Sequence, residues 1–109
     1  MCSSDLFTFT APNLQYFMDS FTEVADVAVS RFTVPNADGS PVEIRLAAHS
    51  DGSQADVDAL AKLVQPLVRE QMAVFGEYPA YEPGAYTFLL DYVAWGDGDG
   101  MEHRNSTAV

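Results

Sequence analysis

The chain has 109 residues, of which 48% are hydrophobic and 12% aromatic, so it can build one modest core and is not a disordered polypeptide. Sixteen acidic residues against five basic give a net charge of −11, which excludes a nucleic-acid or anionic-membrane partner because phosphate is repelled. The single cysteine, Cys2, excludes both an intramolecular disulfide and a cysteine-rich zinc site.

The acidity serves either a soluble surface or cationic ligands such as amines and divalent metals. No apolar run is long enough to span a bilayer, and Met1-Cys2-Ser3-Ser4-Asp5 lacks the basic and apolar regions of an export signal. The compartment stays open between cytoplasm and periplasm.

In chain order, Leu6-Phe7-Thr8-Phe9-Thr10 alternates aromatic and threonine and reads as a short strand. Asn13 is placed to cap a helical turn over Leu14 to Met18. Val24 to Val34 is rich in β-branched residues, and its alternation slips at Ser30-Arg31, which predicts a bulge. Pro35 to Ser40 is a turn by composition. Val42-Glu43-Ile44-Arg45-Leu46 alternates cleanly, so the two runs form a β-hairpin.

Ser53-Gln54-Ala55-Asp56 has the form of a capping box with Asp in place of Glu, and a helix is expected over Asp56 to Phe75. Val57, Leu60, Val64, Leu67, Val68, Met72 and Phe75 recur at three- and four-residue spacings, which marks a core face rather than a cofactor groove. Pro66 removes one backbone donor inside that helix and is expected to kink it, and Gly76 ends it. Tyr86 to Trp95 carries bulky residues on both faces, as a central strand does. Asp91 interrupts it, either as a paired buried carboxylate or as a residue near the solvent end.

The chemistry gathers beyond Trp95. Gly96-Asp97-Gly98-Asp99-Gly100 predicts a loop of unusual backbone shape, and Met101-Glu102-His103-Arg104-Asn105-Ser106-Thr107 a further strand. Asp97 and Asp99 have the look of a calcium loop. An EF-hand, however, needs glutamate at its twelfth position, and counting from Asp97 that position is Ala108. The loop is then either a weak, irregular cation site or a solvated hinge. Asn105-Ser106-Thr107 also fits the short N-glycosylation pattern.

Gly100 to Thr107 resembles the Gly-Gly-Leu-Glu-His motif, followed by Arg-Asn-Ser-Thr, of the glycyl aminopeptidase family. These are thermolysin-like (gluzincin) zinc metallopeptidases with a PDZ domain near the C-terminus. Tyr16-Phe17-Met18-Asp19-Ser20 is similar to that family's Met/Val-Asp-Ser-Pro segment, with Phe21 where the family has proline. Phe75-Gly76-Glu77-Tyr78-Pro79 with Tyr86-Thr87-Phe88 is similar to its Phe-Gly-x-x-Pro…Tyr-x-Phe segment. Asp99 stands where the family often has the first glycine.

The resemblance runs from about Asp5 to Thr107 and covers the front part of the family's catalytic domain, so residues 1–109 are expected to be one N-terminal piece of a larger enzyme. It implies a substrate-binding strand of Gly100, Met101, Glu102 and His103, on which the Glu102 carboxylate meets the α-ammonium group of a peptide N-terminus. His103 serves there as a structural donor or as a proton carrier. Read without the resemblance, Glu102 is an ordinary solvated glutamate.

The resemblance also implies zinc in the parent enzyme. A zinc peptidase of this group needs His-Glu-x-x-His and a further acidic ligand. Neither His49 nor His103 begins that motif, so no catalytic residue and no metal ligand are expected in this piece, and no zinc on it.

The expected fold is α+β: a twisted, mostly antiparallel sheet of four to five strands with one long helix on one face, like the N-terminal subdomain of thermolysin-like peptidases. There the edge strand of the sheet borders the cleft. A piece cut at that strand leaves sheet surface uncovered, so a homodimer through the Met101–Val109 strand or the adjoining face is expected. The competing expectation is a stand-alone acidic α+β binding module without catalysis. A His-Glu-x-x-His helix encoded beyond Val109 separates the two.

Overall fold

The computed structural model describes residues 8–82 and 84–109. Leu6 and Phe7 of the first expected strand lie outside them, and Thr8 to Thr10 are not strand. Seven elements follow in order: α1 (Leu14–Met18), β1 (Ala28–Pro35), β2 (Pro41–Ser50), α2 (Gln54–Phe75), β3 (Ala85–Tyr92), β4 (Met101–Glu102) and β5 (Ser106–Ala108). The Asn13 side chain caps α1 by accepting the Tyr16 N–H at 2.9 Å.

The fold is α+β, with five strands in the order β1-β2-β3-β5-β4 and one long helix. The sheet is mixed rather than mostly antiparallel. β1–β2 and β4–β5 pair antiparallel, whereas β2–β3 and β3–β5 pair parallel. The reason is the connection: α2 carries the chain back along the sheet, so β3 re-enters in the direction of β2.

The β1–β2 register runs unbroken from Ala28↔Ala48 to Pro35↔Pro41, so the expected bulge at Ser30-Arg31 is absent and the strand begins at Ala28, not Val24. The slip in alternation has another cause. Ser30 shares the helix-facing side with Ala28, Phe32 and Val34, so a polar residue occupies an inward position of an unbroken strand.

Ser53 and Asp56 form the capping box, and α2 starts at Gln54. The helix ends at Gly76, whose φ of 88° suits glycine and whose N–H reaches the Met72 carbonyl at 2.7 Å. α2 runs through Pro66 as one element. Val57, Leu60, Ala61, Val64, Val68 and Met72 pack on Val34, Val42, Ile44, Leu46, Ala48 and Leu90. Two members of the expected stripe face outward. Leu67 lies roughly 80° round the helix from Val57 and is 63% exposed, and Phe75 sits in the last turn at 79%.

The opposite sheet face takes the alternate residues, among them Ala47, His49, Leu89 and Asp91, and the segment before β1 crosses it. Phe9, Phe17 and Phe21 of that segment border an open cavity of about 560 Å³ over Thr87, Leu89 and Ser106.

β3 ends at Tyr92 rather than Trp95. The expected strand from Met101 is instead two short strands around a turn at His103 to Asn105, closed by the His103 N–H to Ser106 carbonyl bond at 2.8 Å. The glycine loop has none of the left-handed φ values expected of it. Gly96 instead lies close to Val93, whose side chain would stand 3.1 Å from a Cβ there and would have to shift.

Leu46, with no exposure, is expected to lose about 2–5 kcal/mol on substitution by alanine, whereas the same change at Leu63, which is 68% exposed, stays within about 0.5 kcal/mol. Urea unfolding of the two variants checks the assignment of helix faces.

Candidate functional site

The four residues singled out as substrate-binding lie at the far margin of the sheet. β4 pairs only with β5, through Met101↔Ala108 and Glu102↔Thr107, so its outer edge carries unpaired backbone groups. Gly100, Met101 and Glu102 are exposed, and Met101 keeps 60% of its surface in solvent. The turn after Glu102 carries His103 the other way. Its side chain is 11% exposed and lies beside Phe21, with ring centroids 6.1 Å apart. Its Nε2 is buried without a partner.

The residue that holds this hairpin is Asp19. Its carboxylate accepts the Arg104 backbone N–H at 3.0 Å and lies 3.4 Å from His103 Nδ1 and 3.9 Å from Arg104 Nε. The Arg104 guanidinium sits 5.1 Å from the centre of the Tyr16 ring. The Arg104 backbone bond, then the His103 bond, hold the Asp19 carboxyl below its ordinary value of 3.8. Two of the sequence segments behind the family resemblance, Tyr16–Ser20 and Gly100–Thr107, thus meet in space. The third does structural work: Asn36 of the hairpin turn bonds both the N–H and the carbonyl of Tyr78, at 2.9 and 3.1 Å. The Tyr78 hydroxyl donates to the Val68 carbonyl at 2.7 Å.

A second constellation lies at the C-terminal ends of β2 and β3. Parallel register sets His49 directly beside Asp91, and His49 Nδ1 is 2.9 Å from Asp91 Oδ1. Glu23, from the segment crossing this face, brings Oε1 to 3.7 Å from the same nitrogen. Burial, then the Asp91 charge, raise the Glu23 carboxyl above its ordinary value of 4.5, while His49 opposes the shift.

Asp91 is therefore paired but not buried: it lies near the solvent end of its strand, with 44% of its side chain exposed. The sequence offered one signal here, an acid inside an apolar strand. Nothing in the sequence pointed to Glu23. His49 and His103 fall in separate groups, each with its own acids. Asp97 and Asp99 are exposed and, among the described residues, gather no third His, Cys, Asp or Glu ligand.

Compared with known proteins, the chain matches no family model, no curated protein and no solved structure.

Because its carboxyl is held low in the folded state, Asp19 contributes stability above the ordinary carboxylate range and loses that contribution as pH falls through the lowered value. Wild type is accordingly expected to melt above Asp19→Asn near neutral pH, with the gap closing in acid. Asp19→Ala is expected also to strip hydrogen-exchange protection from the Arg104 amide. Thermal melts across pH and amide exchange by NMR test both.

Proposed function

We propose that this chain is the front part of the catalytic domain of a zinc-dependent aminopeptidase similar to the glycyl aminopeptidases, and that Gly100, Met101 and Glu102 of the substrate-binding strand Gly100–His103 meet the substrate while His103 supports them. One observation carries the reading beyond the motif: Met101–Glu102 is the outermost strand, with an open edge and an exposed carboxylate. An extended peptide adds to such an edge through its backbone. The Glu102 carboxylate then takes a charge-assisted hydrogen bond from the peptide's α-ammonium group, which selects free N-termini. His103, tied to Asp19, fixes the hairpin from behind.

The catalytic zinc of such an enzyme polarises the scissile carbonyl and activates water. Its His-Glu-x-x-His ligands are not among these residues, so no hydrolytic step is assigned to them.

A short glycyl peptide amide with a free N-terminus is expected to shift the Met101 and Glu102 amide signals in an NMR titration, and its N-acetylated form to bind more weakly. Removing the charge with Glu102→Gln is expected to weaken the free peptide by about 10- to 100-fold. Equal binding of the two peptides, or no shift at these amides, overturns the reading and leaves a binding module of other specificity.

The same edge supports self-association of the chain as a homodimer. Met101, Trp95 and Val109 expose 60, 81 and 44% of their surface beside the unpaired strand. Light scattering is expected to show mass rising with concentration, and more readily at raised salt, where the net charge of −11 is screened. A constant monomer mass under both conditions excludes the dimer.

A further inference from the structure

We propose that Glu23, His49 and Asp91 form a binding site for one divalent transition-metal ion, of which Zn²⁺ is the best match, separate from the catalytic zinc of the proposed parent enzyme. The three side chains each direct one donor atom to a common point, all within 4.8 Å of one another. Ligands held about 2.0–2.2 Å from zinc are spaced about 3.0–3.6 Å from each other. Two of the separations, 2.9 and 3.7 Å from His49 Nδ1, lie close to that range, and an ion takes the place of the His49–Asp91 hydrogen bond.

The second observation concerns Glu23 by itself. Both its carboxylate oxygens are sealed from solvent and accept no hydrogen bond from any described residue, and its side chain is only 12% exposed. A buried carboxylate without a donor is costly, and a cation supplies what is missing. Without one, Glu23 stands beside a second acid, Asp91. One imidazole among carboxylates favours zinc over magnesium or calcium, which take all-oxygen shells. Asp91 and His49 keep 44 and 37% of their side chains exposed, so water completes the shell from the solvent side.

The location is of a kind that recurs in open α/β sheets, where ligands gather at the carboxyl ends of parallel strands. Here the ion joins two such ends to the segment crossing the second sheet face. It acts as a clasp on that segment, and it does not depend on the role given to Glu102.

The test is calorimetric titration of the chelator-treated chain with Zn²⁺ in a Cys2→Ser background, so that no thiolate can serve as ligand. One Zn²⁺ per chain is expected, with affinity lowered at least about tenfold by Glu23→Gln or His49→Ala and unchanged by Asp97→Asn/Asp99→Asn. A thousandfold excess of Mg²⁺, on the order that separates such ions at an imidazole site, is expected not to displace it.

Mn²⁺ gives a readout that needs no variant, because it is expected to broaden the amide signals around Glu23, His49 and Asp91 before any others. No saturable zinc binding overturns the proposal. So does binding that survives both ligand substitutions but fails in the Asp97/Asp99 variant, or broadening centred elsewhere. Glu23→Gln raising the melting temperature of the chain equally with and without zinc identifies a protonated carboxyl pair instead, and also overturns it.

Discussion

β2 is held from every side. Antiparallel β1 and parallel β3 saturate its backbone, and its helix-facing residues Ile44 and Leu46 are 2 and 0% exposed. Buried backbone donors and acceptors must be paired, so a strand in this position fixes its neighbours' registers as well as its own. One such register, β2 against β3, sets Ile44 against Tyr86 and Leu46 against Phe88 on the helix side. On the other side it sets His49 against Asp91. A slip of one residue in β3 would bring Leu90 to the outer face and bury a carboxylate under α2. The hydrophobic demand of the core therefore enforces the juxtaposition of two polar side chains on the opposite surface.

The sheet's other margin is governed differently. β4 and β5 have two and three residues and contribute little burial of their own. What orders them is the parallel pairing of β5 on β3 and the Asp19 carboxylate behind the turn. That carboxylate satisfies the Arg104 N–H, which the turn leaves without a backbone partner. The side chains of Glu102 and His103 diverge as a result, one into solvent and one toward the Phe21 ring. The division of labour between neighbours, one free to meet a ligand and one fixing the backbone, follows from a single tight turn.

Local signals were legible in the sequence because they are short-range. Asn13 and Ser53 cap their helices, Gly76 stops α2 in the left-handed region, and the hairpin closes over the turn at Asn36 to Ser40. The long helix and the three longer strands follow from periodicity. Strand direction did not, because nothing in Tyr86 to Leu90 distinguishes a parallel partner from an antiparallel one. The split at His103 was also hidden, since it depends on an aspartate far upstream. Of glycine's two uses in the Gly96–Gly100 loop, positive φ is not taken up, whereas Gly96 does lie close to Val93. Glu23 was illegible for a simple reason: a lone glutamate between Thr22 and Val24 carries no pattern, and only packing over the sheet gives it neighbours.

The tie between Asp19 and Arg104 spans 85 residues, nearly the length of the chain. A polypeptide is made from its N-terminus, so the segment bearing Asp19 emerges long before its anchor exists. During that interval Phe9, Phe17, Met18 and Phe21 have no hairpin to rest against, while β1, β2 and α2 can already pair and pack among themselves. Long loops close slowly and after local contacts have formed. In biosynthetic order, then, the segment bearing Asp19 is made before β1, β2 and α2 but can dock only once the turn at His103 to Asn105 has emerged.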